Sequence, residues 1–477
     1  MLGHDASSAL AAGQTRKSVT SALTATSRTG RPMTSHEEIH GGKDPRMSTG
    51  HDGAKASHRL PIRTLVAASV GNAVEWYDWT IYATFSIYFA TQIFSAENES
   101  LAFILTFTTY ALAFFFRPLG GFLLGRYADL KGRKQAMLLT IMLMAGGSLI
   151  IAILPTYAAV GWLAPILLLF ARIAQGMSLG GEVSSASAYL AEIAPPNRRG
   201  RYSSFFYIST GIAVLLASLL GAFLAGTLTD DQLARWGWRV PFLIGAALGL
   251  VGLWMRRHMY ETEQFEKNVA KAKAIKNPLM LTLREYPKSV AQLIGLTLLS
   301  TLCYYTFFST LTPFAVKGNG LDDSIVFWAL SIATALFVVL QYPFGWTADH
   351  FGRKPQLLVW SGAIALLIVP VSTLIRPEAG FGSVLLVFCF GLGLYAMKSS
   401  IAPAIMSELF PTRLRGLGIG AWYNLTVALF GGTAPLVIQL LSNVGHSNWF
   451  FWYVAVGAAV AFVATLTLPE TKGSVLR

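Results

Sequence analysis

Long apolar runs follow one another along this chain from residue 61 to its end. About 20 apolar residues are enough to cross the hydrocarbon core of a bilayer, so each run is long enough for a membrane-spanning helix. The pattern predicts a bundle of about twelve such helices. They lie near 63–94, 101–126, 134–155, 160–190, 202–227, 239–258, 288–316, 323–347, 355–376, 381–408, 416–443 and 447–469.

Two polar stretches divide the chain. Residues 1–60 contain no Phe, Trp or Tyr and cannot bury enough apolar surface to fold, so they are predicted to form a disordered cytoplasmic tail. Residues 259–287 are predicted to form a charged surface helix that links six spans to six. The expected domains are therefore a first bundle over 61–258, a second bundle over 288–470 and a short cytoplasmic C-terminus over 471–477.

Composition agrees with a membrane protein. The chain is 53% hydrophobic and 13% charged, with a mean hydropathy of +0.51, whereas soluble domains carry about 25% charged residues. Its two cysteines, Cys303 and Cys389, lie in apolar runs and indicate neither a disulfide framework nor a metal site. We find no nucleotide-binding loop, nucleophile motif or metal-ligand cluster in the sequence, so neither an enzyme nor a cofactor is expected.

The basic residues alternate between loops. The 37 Lys and Arg exceed the 24 Asp and Glu, but they cluster in every second loop, which is typical of membrane topology and not of nucleic-acid binding. The positive-inside rule then places these loops and both termini in the cytoplasm. The basic clusters comprise Arg126, Lys131, Arg133 and Lys134; Arg198, Arg199 and Arg201; Arg256 and Arg257; Arg353 and Lys354; and Arg413 and Arg415.

Three pairs of motifs repeat at matching places in the two sets of helices. Together they predict two related six-helix halves. The pairs are "GRYADLKGRK" (125–134) with "GWTADHFGRK" (345–354), 220 residues apart; "EIAPPNRRG" (192–200) with "ELFPTRLRG" (408–416), 216 residues apart; and "YETEQ" (260–264) with "PETKG" (469–473).

With these repeats the chain resembles the major facilitator superfamily over nearly everything from residue 61 onward. The resemblance implies an all-α fold of two pseudo-symmetric six-helix bundles that move by alternating access. It also implies that the repeated loop residues hold the cytoplasmic side closed and do not bind substrate. The expected cytoplasmic gate comprises Gly125, Asp129, Gly132, Arg133, Glu192, Arg199, Asp349, Arg353, Glu408 and Arg415.

A narrower resemblance is to the metabolite:proton symporters. It depends on "GNAVEWYDW" (71–79), "FRPLGG" (116–121), "ARIAQGMSLGGE" (171–182) and "RWGWRVPF" (235–242). The second half is most similar to α-ketoglutarate permeases. The resemblance implies a monomeric symporter in the inner membrane of a bacterium, which imports a small organic anion such as a dicarboxylate together with protons.

Two acids in the first span are candidate proton carriers. Glu75 and Asp78 lie about 12 and 15 residues into this helix, near mid-depth at about 1.5 Å per residue. Asn72 extends the same stripe, so one face of the helix is expected to line a wet cavity. A desolvated carboxyl beside a like charge can hold a proton, but a structural polar stripe is the alternative.

The second repeat offset relates a base to an acid. Lys398 in the tenth span corresponds to Glu182 in the fourth, 216 residues earlier. Lys398 is a candidate substrate-binding cation, and Glu182 a candidate for proton coupling. The alternative is a buried ion pair between the two, and an internal pair that the substrate displaces would combine both roles.

Further candidates for substrate contact come from other spans. The planar guanidinium of Arg172 in the fourth span suits a bidentate grip on a carboxylate, although a structural role beside Gln175 remains open. For Arg117, predicted near the cytoplasmic end of the second span, a structural role is favoured. The remaining polar candidates, each equally explained by packing, are Tyr304, Tyr305, Tyr423 and Asn424, together with Asn72.

Two alternative functions stay open. Citrate, shikimate, phthalate and betaine or proline carriers share the first set of motifs, and Trp76, Tyr77 and Trp79 offer cation–π faces for a betaine. A membrane nutrient sensor that binds without transport is a third reading, which the absence of a long signalling domain in the sequence disfavours.

Overall fold

The computed structural model describes residues 62–94, 99–273, 275–431 and 433–476. The predicted tail over 1–60 lies outside the described residues. Within these ranges the chain is almost entirely helical, and the helices begin and end within a few residues of the predicted apolar runs. The helices of the first half are α1 (Ile62–Ile93), α2 (Glu99–Lys131), α3 (Arg133–Ala152), α4 (Tyr157–Val160), α5 (Leu163–Ile193), α6 (Arg199–Thr227), α7 (Asp230–Gln232) and α8 (Arg239–Arg257).

The second half repeats this arrangement after two linker helices. The linker contains α9 (Glu263–Lys273) and α10 (Pro278–Glu285), so the single surface helix expected there is divided at Pro278, which begins a new helix. The helices that follow are α11 (Pro287–Tyr305), α12 (Leu311–Pro313), α13 (Asp323–Phe351), α14 (Arg353–Ser372), α15 (Phe381–Ser399), α16 (Ala402–Glu408), α17 (Arg415–Thr426), α18 (Ala434–Asn443) and α19 (Trp449–Leu466).

Nine helical segments of the described chain have the length and hydropathy of a membrane span. Three more have spanning length. These are α1 with 32 residues, α2 with 33 residues, and the α17–α18 segment. The twelve segments fall six to each side of the linker, and the fold is that of a polytopic membrane protein with two six-helix bundles.

Small residues allow neighbouring helices to approach closely. Gly176 and Gly180 of α5 lie against the backbone of α2, at Ala113 and Arg117 respectively, with no room for a methyl group between them. Without a hydrophobic driving force between helices in lipid, such close van der Waals contact stabilises the bundle. The α2–α5 pair thereby fixes the depth at which Arg117 is held.

Short π-helical turns interrupt two spans near the middle of the molecule. One, Thr306–Thr310, follows α11, and another, Val427–Gly431, follows α17. Gly431 lies against the ring of Tyr305, the last residue of α11, so the second turn packs against the end of α11. Such bulges are frequent at functional sites because they turn side chains away from regular helical spacing.

The basic loops all lie at one end of the bundle, which we call the basic end. Here Gly132 joins α2 to α3 with a φ of 115°, and its repeat Gly352 joins α13 to α14 with a φ of 107°. A side chain disfavours this backbone region. A Cβ on Gly132 would also collide with the Glu261 carboxylate.

We predict that Gly132→Ala destabilises the protein by about 1–3 kcal/mol, through backbone strain and the loss of the Glu261 contact. The check is the thermal unfolding midpoint of the detergent-solubilised protein. Gly146→Ala is the matched control, because a Cβ there meets nothing within 4 Å. Equal midpoints for the two variants would contradict the predicted strain.

Candidate functional site

Two aspartates close the basic end by binding the start of a helix in the opposite half. Asp129, near the end of α2, accepts hydrogen bonds from the backbone N–H groups of Gly416 and the next residue, at 2.9 and 3.0 Å. Its repeat Asp349 accepts them from Gly200 and the next residue, at 2.8 and 3.1 Å. A carboxylate is favoured there by unpaired N–H groups and the positive end of the helix dipole.

Arginines extend the first of these contacts into a buried ion network. Arg133 lies 2.6 Å from Asp129 and 3.3 Å from Glu192, and it donates to the carbonyl of Thr412 in the second half. Arg415, from the second half, binds the same Glu192 at 2.6 Å. One carboxylate therefore joins arginines from both halves.

A second, equivalent network is formed with the roles of the two halves exchanged. Arg199 binds Glu408 across the seam at 2.8 Å. Arg353 lies 3.3 Å from Asp349 and 3.7 Å from Glu408. The duplicated sequence motifs thus form two equivalent cross-half contacts, and the ten predicted gate residues lie together at the basic end.

Glycines bring the two backbones together beside each aspartate. A Cβ on Gly125 would lie 2.5 Å from the carbonyl oxygen of Gly416, and one on Gly345 would lie 2.8 Å from that of Gly200. The N–H groups bound by the aspartates can be reached only at this separation. The motif therefore needs glycines because the backbones must approach this closely. It needs the acids because a carboxylate binds the N–H groups.

The third motif pair ties the linker to this network. Glu261 accepts hydrogen bonds from the N–H groups of Arg133 and Lys134, each at 3.1 Å, at the start of α3. Thr262 donates to the remaining oxygen of Glu192. Partial burial raises the pKa of Glu261 above its ordinary value, against the effect of these N–H donors.

The C-terminal segment repeats that arrangement. Glu470 accepts hydrogen bonds from the N–H groups of Arg353 and Lys354, at 2.9 and 3.0 Å, at the start of α14. Thr471 donates to Glu408. In each half, the N-terminus of the third span is therefore bound by a glutamate from the segment that follows the sixth span.

A small cavity of about 20 Å³ lies at the seam between the halves, beyond the seal at the basic end. This volume holds about one water molecule. Aromatic side chains from both halves form most of its wall. Its tyrosines are Tyr207, Tyr304, Tyr305, Tyr395 and Tyr423, and Arg117, Trp76, Ser300, Thr301 and Val427 complete it.

A larger cleft of about 450 Å³ adjoins the small cavity. It is lined by α1 and α6 of the first half and by α13 and the Thr306–Thr310 turn of the second half. Trp76 and Tyr304 line both spaces, with ring centroids 4.9 Å apart. This aromatic pair is therefore the wall between the cleft and the cavity.

Two cations lie at the central cavity. Arg117 is 2% exposed, and its Nε has no hydrogen-bond partner within the described part of the chain. Lys398 lies behind the wall, where its Nζ donates to Ser300 Oγ at 2.8 Å. Across the described ranges, no carboxylate lies within 4 Å of Lys398. The cavity wall thus carries a guanidinium, with a lysine behind it.

The depth predicted for Arg117 is wrong, whereas the structural role favoured for it stays a prediction. The second span was expected to end near residue 126, which would place Arg117 close to the basic end. Instead α2 continues to Lys131, 14 residues beyond Arg117, or about 21 Å along the helix. Arg117 therefore lies near mid-depth, on the cavity wall.

Asp78 lies inside the first half, among several donors. Gln175 donates to its carboxylate at 2.6 Å, Ser148 donates to the other oxygen, and Arg172 lies 3.5 Å away. Arg172 in turn donates to Gln175 Oε1 at 2.7 Å. The possible structural role of Arg172 beside Gln175 is therefore realised in this conformation.

Aromatic rings enclose Arg172. Its guanidinium carbon lies 3.9 Å from the ring centroid of Tyr82, 4.5 Å from that of Trp79 and 5.5 Å from that of Tyr110. Cation–π contacts of this kind stabilise a desolvated arginine by about 2 kcal/mol. Arg172 does not line the central cavity, so its predicted substrate contact is not formed in this conformation.

The alternative of a buried ion pair between Glu182 and Lys398 is wrong. Glu182 binds Arg256 at the end of α8, and it accepts a hydrogen bond from Thr140 at 2.6 Å. Arg256 is fully buried and also donates to backbone carbonyls, including that of Met137 at 2.6 Å. Sequence reasoning assigned Arg256 to a basic loop, but its side chain turns back into the bundle.

The remaining candidates divide among the cavity, the first half and the seam. Tyr304, Tyr305 and Tyr423 line the cavity, as their prediction as substrate contacts requires. Asn72 instead donates to the carbonyl of Phe206 at 2.8 Å within the first half. Asn424 donates across the seam to the carbonyl of Gly180 at 3.0 Å.

A charged cavity between two duplicated helical bundles, sealed at one end, is the construction of a membrane carrier. A family model described as the Major Facilitator Superfamily matches residues 68–426 and 328–476. The chain belongs to this superfamily and is a membrane transporter, not an enzyme.

Among similar proteins is the Alpha-ketoglutarate permease of Escherichia coli (strain K12), 37% identical over 423 residues, which cover 88% of this chain and 96% of that protein. A Putative proline/betaine transporter of Staphylococcus aureus (strain COL) is 33% identical over 419 residues, covering 87% and 90%. The fold matches the proton:xylose symporter XylE bound to 6-bromo-6-deoxy-D-glucose with a TM-score of 0.72 at 20% identity, covering 87% and 97%.

We predict that Asp129→Asn opens the basic end more often, because an amide binds the two N–H groups of α17 less strongly than a carboxylate. The lost charge-assisted bonds should raise the equilibrium constant for opening the basic end by about tenfold or more. The check is the N-ethylmaleimide alkylation rate of Ser407→Cys, in a background with Cys303→Ser and Cys389→Ser.

Ser407 is fully buried at the seam, where it donates to the carbonyl of Ser187 at 3.1 Å. Asp231→Asn, which removes an exposed pair with Arg235, is the control and should leave the alkylation rate unchanged. An unchanged rate in Asp129→Asn would mean that this carboxylate does not hold the halves together.

Proposed function

We propose that this protein is a proton-coupled symporter that imports a small organic anion, with a dicarboxylate such as α-ketoglutarate as the preferred substrate. The observation that carries the proposal is Arg117, a buried guanidinium on the cavity wall whose Nε has no partner among the described residues. A substrate carboxylate would supply that partner. The tyrosine hydroxyls around the cavity would bind the remaining substrate oxygens.

A second cation favours two carboxylates over one. Lys398 lies one side chain behind the cavity wall, held by Ser300. Movement of that serine would expose the ammonium group to the cavity, opposite Arg117. The E. coli relative named Alpha-ketoglutarate permease supports the same substrate class.

We assign the basic end to the cytoplasm, by the positive-inside rule. The structure then corresponds to a conformation closed toward the cytoplasm. A cavity with room for about one water must widen before it admits a dicarboxylate. The Trp76–Tyr304 pair separates the cavity from the adjoining cleft. We therefore expect the cavity to open first into that cleft.

Coupling to protons is assigned to the acids of α1. Glu75 and Asp78 are both buried in the first half, 1% and 0% exposed. Glu182, by contrast, is neutralised by Arg256, and we assign it a structural role. Both walls of the cavity come from one chain, which supports a functional monomer in the bacterial inner membrane.

We predict that Arg117→Gln and Lys398→Gln each weaken uptake of a radiolabelled dicarboxylate. Loss of one charged hydrogen bond of about 1.5–3 kcal/mol corresponds to roughly a ten- to a hundredfold lower apparent affinity. The measurement is uptake into proteoliposomes with and without an imposed pH gradient.

Arg257→Gln is the matched control, because Arg257 is exposed at the end of α8 and does not line the cavity. Its uptake should equal that of the wild type. Full dicarboxylate uptake in both cavity variants would remove these cations from the substrate site. Binding without net flux in the wild type would instead indicate a nutrient sensor.

A second candidate is a carrier of betaine or proline. Trp76 and Tyr304 present aromatic faces to the cavity and the cleft, as a quaternary ammonium group requires. The name of the S. aureus relative favours the same class. Arg117 would then bind the single carboxylate.

A competition panel separates the two candidates. Unlabelled dicarboxylates, tricarboxylates, shikimate, betaine and proline would each be tested against uptake of labelled α-ketoglutarate. We predict inhibition by dicarboxylates and none by betaine, because two cations favour two carboxylates. Inhibition by betaine and proline, with none by other dicarboxylates, would favour the second candidate.

A further inference from the structure

The two acids of α1 have different hydrogen-bonding surroundings. Asp78 receives three donors, from Ser148, Gln175 and Arg172. These donors satisfy both of its oxygens, and one of them is a cation. This environment suits an ionised carboxylate.

Among the described residues, Glu75 has one hydrogen-bonding neighbour. Its Oε1 lies 2.8 Å from Ser178 Oγ, and its Oε2 has no partner in the described part of the structure. Ser178 Oγ also lies 2.7 Å from the carbonyl oxygen of Thr140. A carbonyl oxygen can only accept, and a serine hydroxyl has a single hydrogen to donate.

That geometry limits where the hydrogen atoms can lie. If Ser178 donates to Thr140, its contact with Glu75 is a hydrogen bond only when the carboxyl group donates. Glu75 must then be protonated. If Glu75 were ionised, Ser178 could donate to Oε1 only by leaving Thr140, and Oε2 would still have no donor among the described residues. A buried unsatisfied acceptor costs about 1–3 kcal/mol, more when charged.

The charges around Glu75 lead to the same assignment. Glu182 on α5 and Arg256 on α8 face it as an ion pair that is already neutral. Arg117 on α2 acts on it only from a distance, and Asp78 lies one turn along α1. Ser178 of α5 contacts Glu75, and the Thr140 carbonyl of α3 contacts Ser178; neither side chain carries a charge. An ionised Glu75 would be a surplus anion in the membrane interior.

We propose that Glu75 carries the transported proton, and that Asp78 remains ionised as the counterion of Arg172. Ser178 is a positioning residue for Glu75. This assignment deepens the proposed proton coupling and depends on it for its role in transport. When Glu75 releases its proton to water, the Ser178 hydroxyl turns from Thr140 to donate to the new carboxylate.

Infrared spectroscopy tests the assignment without transport. Purified wild-type protein at neutral pH should show the C=O stretch of a protonated buried carboxyl group. Glu75→Gln should remove that band and Asp78→Asn should leave it. Glu263→Gln, at an exposed pair on the linker, is the control for a general change in the spectrum. A band that is lost in Asp78→Asn and kept in Glu75→Gln would overturn the assignment.

Ser178→Ala provides a second test if Glu75→Gln does not fold. It keeps the carboxyl group but removes its partner, so the band should shift to the frequency of a carboxyl group without hydrogen bonds. A band at the wild-type frequency in this variant would show that it does not come from Glu75, and the assignment would fall.

Transport separates this assignment from the proposed function. Glu75→Gln should keep substrate exchange and lose accumulation driven by a pH gradient, since an amide imitates the protonated acid and cannot release a proton. Gradient-driven accumulation kept in Glu75→Gln would overturn the assignment while proton coupling stands. If accumulation by the wild type does not respond to the pH gradient but the Glu75 band is present, the proposed proton coupling is wrong. The assignment of a protonated Glu75 is then still supported.

Discussion

A carboxylate bound to the first N–H groups of a helix in the other half is the interaction that joins the two halves at the basic end. It occurs twice, at Asp129 and Asp349, with the same geometry. Each contact brings two backbones so close that only glycine fits beside it. The arginines, glutamates and threonines of the three repeated motifs bind around these two contacts. Separation of the halves must therefore break both clusters, which favours two discrete conformations over a gradual opening.

Charge burial organises the rest of the molecule. Each half must satisfy its own buried ions, because no water is available in a bilayer to do so. The first half does this with Asp78–Arg172 and Glu182–Arg256, two pairs whose members come from different helices. Arg117 and Lys398, which lack carboxylate partners among the described residues, both lie at the seam. This division separates the ions that hold a bundle together from those that we propose bind the substrate.

The sequence predicted the helices well because each apolar run is long and ends at charged or glycine-rich loops. The ten residues at the basic end were also predicted together, since repeated motifs at equivalent loops must meet if the halves are related. Partners of buried charges were predicted less well. A repeat offset relates Glu182 to Lys398 by symmetry, but symmetry-related residues need not touch. The depth of Arg117 and the inward turn of Arg256 depend on helix ends and rotations that periodicity leaves undetermined.

The manner in which the basic end is closed also bears on its response to salt. Mobile ions screen exposed ion pairs strongly, with a Debye length of about 8 Å at physiological ionic strength. The carboxylates of Asp129 and Asp349 are at most 5% exposed and bind neutral backbone groups at short range. Dissolved ions screen such contacts only weakly. The closed conformation should therefore persist when the salt concentration of the surroundings changes.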